Sequence, residues 1–211
     1  VIVVLAQDVD IKINAEHNFK VVTSEKSDYQ NMVNIGVANV TTDYFMVLEY
    51  DDFLNDNATS TIAKYIESNK DYDVLMSIVK EVKGDEVVAF SNEITWNMGA
   101  AENLGELDLD LAKKIIPNLC GTIFKTIPFL EKGGLKDNFE IYADYELILR
   151  LLEKGLKFFT IPKTFYFHTN DNVDGFENNL KVNEFEKKQW RNLCLSERYF
   201  LQKRDLLVNT Q

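Results

Sequence analysis

Thr42-Asp43-Tyr44-Phe45-Met46-Val47-Leu48-Glu49-Tyr50-Asp51-Asp52 is the stretch on which the reading of the fold turns. Tyr44–Leu48 has the aromatic and branched apolar composition of a buried strand, and it runs straight into an acidic cluster. Ligands in open α/β sheets bind at the carboxyl ends of strands. Carboxylates packed there repel one another unless a cation or hydrogen-bond donors compensate. Hard divalent cations such as Mg²⁺ or Mn²⁺ take one or two carboxylates together with phosphate oxygens. The same acids read equally well as a capping turn, with Asp52 or Asp56 opening the next helix. The flanks have to decide.

Upstream, Val1–Leu5 is a β-branched run of the kind buried on both faces in a parallel sheet. Phe19–Thr23 reads as a second strand, and Ser27 and Asp28 offer caps for a helix over Tyr29–Val40. Downstream, Asn57–Ser68 has the helical spacing of Ile62, Tyr65 and Ile66. Asp73–Val79 and Glu86–Phe90 are strands around a Lys83-Gly84-Asp85 turn. A helix over Leu107–Ile116 stops at Pro117, Cys120–Phe124 is strand-like, and Ile127–Glu131 is a short helix. Gly133-Gly134 marks a loop, Tyr142–Lys154 is a helix stopped by Gly155, and Lys157–Ile161 and Thr164–Phe167 form a strand pair around Pro162. Strands alternating with helices predict an α/β fold.

The 211 residues suit one substantial core. With 23 basic and 34 acidic side chains the net charge is −11, which excludes a protein that grips nucleic acid by general electrostatics. Residues 171–211 are neutral, with Lys187, Lys188, Trp190 and Arg191 in one short run, so residues 1–170 carry the whole excess. The tail reads as a helical extension packing on the domain. Cys120 and Cys194 are too few for a disulfide framework, and VIVVLA lacks the flanks of a secretory signal. Two reduced thiols and a cytoplasmic location are the expectation. No apolar run approaches the ~20 residues of a membrane-spanning helix. The chain opens on Val1 inside a strand, and we expect a further element ahead of it.

Two stretches carry a resemblance. Asn34-Ile35-Gly36-Val37-Ala38, followed by the strand to Glu49-Tyr50-Asp51-Asp52, resembles the Asn-x-Gly helix and Asp-x-Asp-Asp strand end of the family 2 glycosyltransferases. Gly121-Thr122-Ile123-Phe124-Lys125, Gly133-Gly134-Leu135, Asp144-Tyr145-Glu146-Leu147 and Tyr166-Phe167-His168 resemble that family's acceptor-side Gly-Gly-Phe, Glu-Asp-x-x-Leu and Tyr-x-x-His pattern. The resemblance covers residues 1–170 and implies a GT-A-like three-layer sandwich with a mostly parallel central sheet. It implies a metal-dependent, inverting transfer of sugar from a nucleotide-diphospho-sugar. It puts Asp8, Asn34, Glu49, Asp51 and Gly121 on the donor, Asp51 and His168 on Mn²⁺ or Mg²⁺, and Asp144 in the role of general base.

The sequence departs from that pattern where Glu49 replaces the first Asp, Ala143 replaces the Glu before Asp144, and Leu135 replaces Phe. The family's first strand and helix, with their Pro-x-x-Asn contact, have no counterpart, and Val1–Asp8 resembles its second strand. These departures keep open an alternative: an inactive glycosyltransferase-like module within an oligomer or larger assembly. A nucleotidylyltransferase would want a Gly-rich phosphate loop near the start, and none is visible. The acceptor stays open among a glycan, a lipid-linked sugar, a protein and a modified base. Lys125 and Arg150 are candidates for steering phosphates and Trp96 for stacking on a sugar, although solvated cations and core packing explain them as well. Asp10 and His17 read as surface residues.

Overall fold

The computed structural model describes residues 1–7, 9, 19–92, 105–114, 117 and 119–169. Asp8, Asp10, His17, Trp96, Cys194 and the tail 171–211 therefore lie outside the described residues. In chain order the elements are β1 (Ile2–Ala6), β2 (Lys20–Ser24), α1 (Tyr29–Ala38), β3 (Tyr44–Met46), β4 (Phe53–Leu54), α2 (Ala58–Ser68), β5 (Val74–Lys83) and β6 (Glu86–Ser91). They continue with β7 (Glu106–Leu107), α3 (Leu109–Lys114), β8 (Thr122–Lys125), α4 (Thr126–Glu131), a 3₁₀ turn (Asp137–Tyr142), α5 (Ala143–Glu153) and β9 (Phe158–Thr169). No helix among the described residues is long and apolar enough to cross a membrane.

The strand and helix alternation is as expected, and α1 starts where its cap predicts. The Asp28 side chain accepts from the Asn31 N–H at 2.9 Å. β1 and β2 form a parallel pair of their own, and the other strands form one sheet of order β3-β8-β5-β9-β4, with β6 on β5 and β7 on β9. The expectation of a mostly parallel sheet needs correction. Within the large sheet β5 and β9 run parallel, while β3–β8, β8–β5, β5–β6, β4–β9 and β7–β9 are antiparallel. Runs of Val, Ile and Leu report burial on both faces, which covering helices supply, and carry no information on strand direction. β1, expected to be buried on both faces, is half-buried along its length.

Lys157–Ile161 and Thr164–Phe167 also prove to be one strand. Ser77 pairs with Ile161 and Ile78 with Thr164, so Pro162 and Lys163 bulge out of the ladder. Proline has no N–H to contribute, and a bulge lets the strand continue past it.

β5 divides the core by simple alternation. Val74 and Met76 pack with α1, α3 and α5 through Val33, Val37, Leu111, Leu147 and Leu151. Leu75 and Val79 pack on the other face, where Ala58 and Ile62 of α2 meet Ile161 and Phe165. The result is three layers with helices on both faces of the sheet. One end of that sheet gathers the carboxyl ends of β3 and β9, the amino end of the antiparallel β8, and the first turns of α1 and α5.

Candidate active site

The acidic turn after β3 is pinned to the end of β9. The Asp52 carboxylate accepts from Tyr166 O–H at 2.6 Å and from the Thr169 N–H at 2.9 Å, and it lies 3.1 Å from His168 Nδ1. Thr169 Oγ1 donates to the Asp51 carbonyl at 2.7 Å. The Glu49 N–H donates to Tyr166 Oη at 3.3 Å, and Cys120 Sγ lies 3.9 Å from Glu49 Oε1. Tyr166 and His168 are two apart on one strand, which turns both toward this turn. The capping-turn reading of Asp52 is thereby excluded: α2 opens at Asn57, without a side-chain cap.

Asp144 occupies the first turn of α5, with the Leu119 N–H 3.4 Å from Oδ2. It is partly accessible, yet enclosed on enough sides that burial pushes its carboxyl up to about 7, against the pull of that N–H. Burial also raises Glu49 to about 7, and the charges of Asp52 and Asp144 push the same way. Asp52 goes in the opposite direction. Burial would raise it, but hydrogen bonds from His168, Tyr166 and Thr169 outweigh that and hold it below the ordinary carboxylate range. The Asp52 hydrogen bond holds His168 up at about 9, with burial opposing. Tyr29, at the start of α1, belongs to the same cluster: burial and then the Asp144 and Glu49 charges raise its hydroxyl.

Three carboxylates thus converge with one imidazole, an excess of negative charge suited to a bound cation. Asp52, Cys120 and His168 present ligand atoms within 4.8 Å of one another. Of these, the His168 imidazole suits a hard cation such as Mn²⁺, with carboxylate oxygen available from Asp51 on the same turn. Oxygen and imidazole ligands suit it, whereas burial and the Glu49 charge push the Cys120 thiol well up and keep it protonated, a poor ligand.

A family model, glycosyl transferase family 2, matches residues 5–124. The chain belongs to that family. Its fold is GT-A, and the solved structures it resembles agree. The crystal structure of S. aureus TarS 1–349 in complex with UDP-GlcNAc superposes with a TM-score of 0.58 at 15% identity, over 76% of this chain and 44% of that one. The complex of the same protein with UDP gives 0.56 at 16% identity, over 84% and 54%. The chain spans about half the length of these TarS structures. No curated protein matches it.

As a family 2 glycosyltransferase chain, it distributes the expected residues unevenly. Glu49, Asp51, Asp144 and His168 come together, Asp51 being close enough to add to the repulsion on Glu49. Asn34 is elsewhere engaged. Its Nδ2 donates to the Leu135 carbonyl at 2.8 Å and its Oδ1 accepts from the Leu135 N–H at 2.9 Å, clamping the Gly133-Gly134-Leu135 loop. A Cβ on Gly134 (φ +58) would collide with the same Asn34 amide. Gly121 (φ +65) is buried, and a Cβ there would strike Ser77 Oγ, whose hydroxyl donates to the Gly121 carbonyl at 2.9 Å. Asn34 and Gly121, expected on the donor, thus have structural contacts of their own within the protein.

Neither candidate for phosphate steering is at liberty. Lys125 Nζ binds Asp73 Oδ1 at 3.2 Å and the Lys70 carbonyl at 3.0 Å. Arg150 is buried against Glu146. The residues that sequence reading missed are Tyr29, Cys120 and Thr169, and Asp52 in its role against His168. Nothing local marks Tyr29 or Cys120. Asp52 carried a signal in being the last acid of the cluster, the one nearest the next strand.

Proposed function

We propose that the chain performs metal-dependent, inverting transfer of a sugar from a nucleotide-diphospho-sugar to an acceptor hydroxyl. The observation that carries this reading is the convergence of Asp144 with Glu49, Asp52 and His168 at one sheet end, with Asp144 raised to about 7. A carboxylate at that pKa is suited to take a proton from a hydroxyl near neutral pH. Partial access lets a substrate reach Asp144, while enclosure keeps bulk water from competing for the proton. Asp51 and His168 would hold Mn²⁺ or Mg²⁺. That cation, when bound, neutralises charge developing on the departing diphosphate.

Glu49, on a longer side chain than the family's Asp, is suited to a donor hydroxyl or to the cation's water molecules. Asn34 and Gly121 support the site by holding the Gly133-Gly134-Leu135 loop and the start of β8. UDP-sugars are the first donors to test, because TarS was crystallised with UDP-GlcNAc and with UDP. The tail 171–211 is proposed to pack on the domain.

The test is donor turnover by the protein, read as UDP release from UDP-GlcNAc and other UDP- and GDP-sugars with and without Mn²⁺. Metal-dependent release lost on Asp144→Asn supports the reading. Unchanged turnover in Asp144→Asn overturns the assigned base. The replacement of Glu by Ala143 beside Asp144 favours the inactive module instead. That reading predicts no saturable, Mn²⁺-dependent binding of any nucleotide-sugar by calorimetry.

A further inference from the structure

We infer that Asp52 is a positioning residue, which grips His168 through Nδ1 and leaves Nε2 as the nitrogen offered to the cation. The inference rests on the function proposed above for the identity of the ligand. The geometry that carries it belongs to the protein alone.

The Asp52 side chain is 0% exposed, while that of His168 is 31% exposed. Nδ1 lies 3.1 Å from both Asp52 oxygens, so the ring edge carrying Nδ1 faces inward. Two further donors set the carboxylate plane: Tyr166 O–H on Oδ2 and the Thr169 N–H on Oδ1. Tyr166 is fully buried, and the Thr169 N–H belongs to the strand that carries His168. The Thr169 hydroxyl closes the arrangement by binding the Asp51 carbonyl. For Asp52 to swing out as a ligand, three hydrogen bonds would break, and the buried Tyr166 hydroxyl and the half-buried Thr169 N–H would lose their acceptor.

A carboxylate already holding three donors on its buried side is better placed behind a ligand than as one. Once a cation displaces the Nε2 proton, an imidazole that donates Nδ1–H to a carboxylate has its one lone pair on Nε2. Metal-binding histidines are commonly oriented and made more basic in this way. Asp51, one residue earlier, has its main chain fixed by the same strand and so comes to the cation from a held turn. The two adjacent acids have different tasks: Asp51 toward the cation, Asp52 toward the imidazole.

Long-range ¹H–¹⁵N correlation spectra of the metal-free protein test the grip directly. They should show a slowly exchanging, hydrogen-bonded proton on His168 Nδ1, lost in Asp52→Ala and kept in Asp52→Asn, which retains an acceptor oxygen. Substoichiometric Mn²⁺ with UDP should then broaden Nε2 more than Nδ1. By calorimetry, Asp52→Ala should weaken Mn²⁺ binding in the presence of UDP by ~10–100-fold, with Asp52→Asn in between. A residue that merely held the turn together would leave the Nδ1 proton and the broadening pattern unmoved. If Asp52→Ala fails to fold, the wild-type spectra decide alone. Wild-type protein that takes up no Mn²⁺ with UDP overturns the proposed function and, with it, the role of Nε2. Protein that binds Mn²⁺ through Nδ1, or whose affinity ignores Asp52→Ala, overturns this inference alone.

Discussion

Asp144 and Glu146 sit two residues apart in the first turn of one helix, and their surroundings make opposite use of them. Glu146, 1% exposed, is gripped by both arms of the Arg150 guanidinium at 2.8 and 2.9 Å, with Lys136 Nζ at 3.6 Å. Arg150 also donates to the Gly134 carbonyl at 2.5 Å and to that of Lys132. This cluster closes its own charge and ties α5 to the Gly133-Gly134-Leu135 loop. Asp144 faces Glu49, Tyr29 and Cys120 and is driven toward its neutral form. Residues i and i+2 point to different sides of a helix, so one turn serves both clusters. A buried acid matched by the protein's own cation is architecture. One left with an excess of negative charge is suited to something from outside.

The sharpest way to break that contrast is at Asp144 itself. Asp144→Asn should lower donor turnover by ~10²–10⁴-fold, the usual contribution of a general base. The thermal midpoint of the same variant at pH 8, read by calorimetry, should stay level or rise, because a carboxylate that burial disfavours is gone. Loss of both activity and stability would place Asp144 with Glu146 as architecture.

The converse substitution, Arg150→Met, leaves Glu146 buried without its guanidinium and should cost about 3–5 kcal/mol in urea unfolding. The double variant Glu146→Leu with Arg150→Met should recover much of that. If Arg150→Met leaves stability intact, the balanced cluster is not what holds the loop. A smaller effect is expected at Asn34→Ala, which removes two bonds to the Leu135 backbone and should cost about 1–3 kcal/mol.

A further effect is on pH. Glu49 and Asp144 are raised to about 7, so their contribution to stability is full below the ordinary carboxylate range and is lost as pH rises through 7. His168, raised to about 9, contributes fully below the ordinary imidazole value and loses that contribution through 9. Asp52, lowered, contributes above the ordinary carboxylate value and loses it as pH falls further. The metal-free protein should therefore be most stable in mild acid and soften toward pH 9. Donor turnover should instead rise through an apparent pKa near 7. Melting curves and rate profiles on the same samples check both slopes, and parallel slopes would contradict the base assignment.

The α/β order, the Asp28 cap and the acidic turn at the strand end were legible because each rests on local pattern: period, cap chemistry and adjacency. Strand direction was not. Val74–Val79 reads the same whether its neighbour is the parallel β9 or the antiparallel β8. Pro162 suggested a break between two strands because the rule is local, whereas a bulge against β5 absorbs it. Within the candidate site, Glu49, Asp51, Asp144 and His168 were found by motif. The contacts of Asn34, Gly121 and Lys125 were not legible, because their partners lie 44 to 101 residues away in the chain.

By itself, then, the sequence determined which acids exist, where a strand delivers them, and that the domain carries more negative than positive charge. Only the tertiary structure decided which of those acids is neutralised from within. Hydrogen bonding and desolvation act over a few ångströms in space. The chain brings Asp52 to Thr169 across 117 positions, whereas Glu146 finds Arg150 one helical turn away.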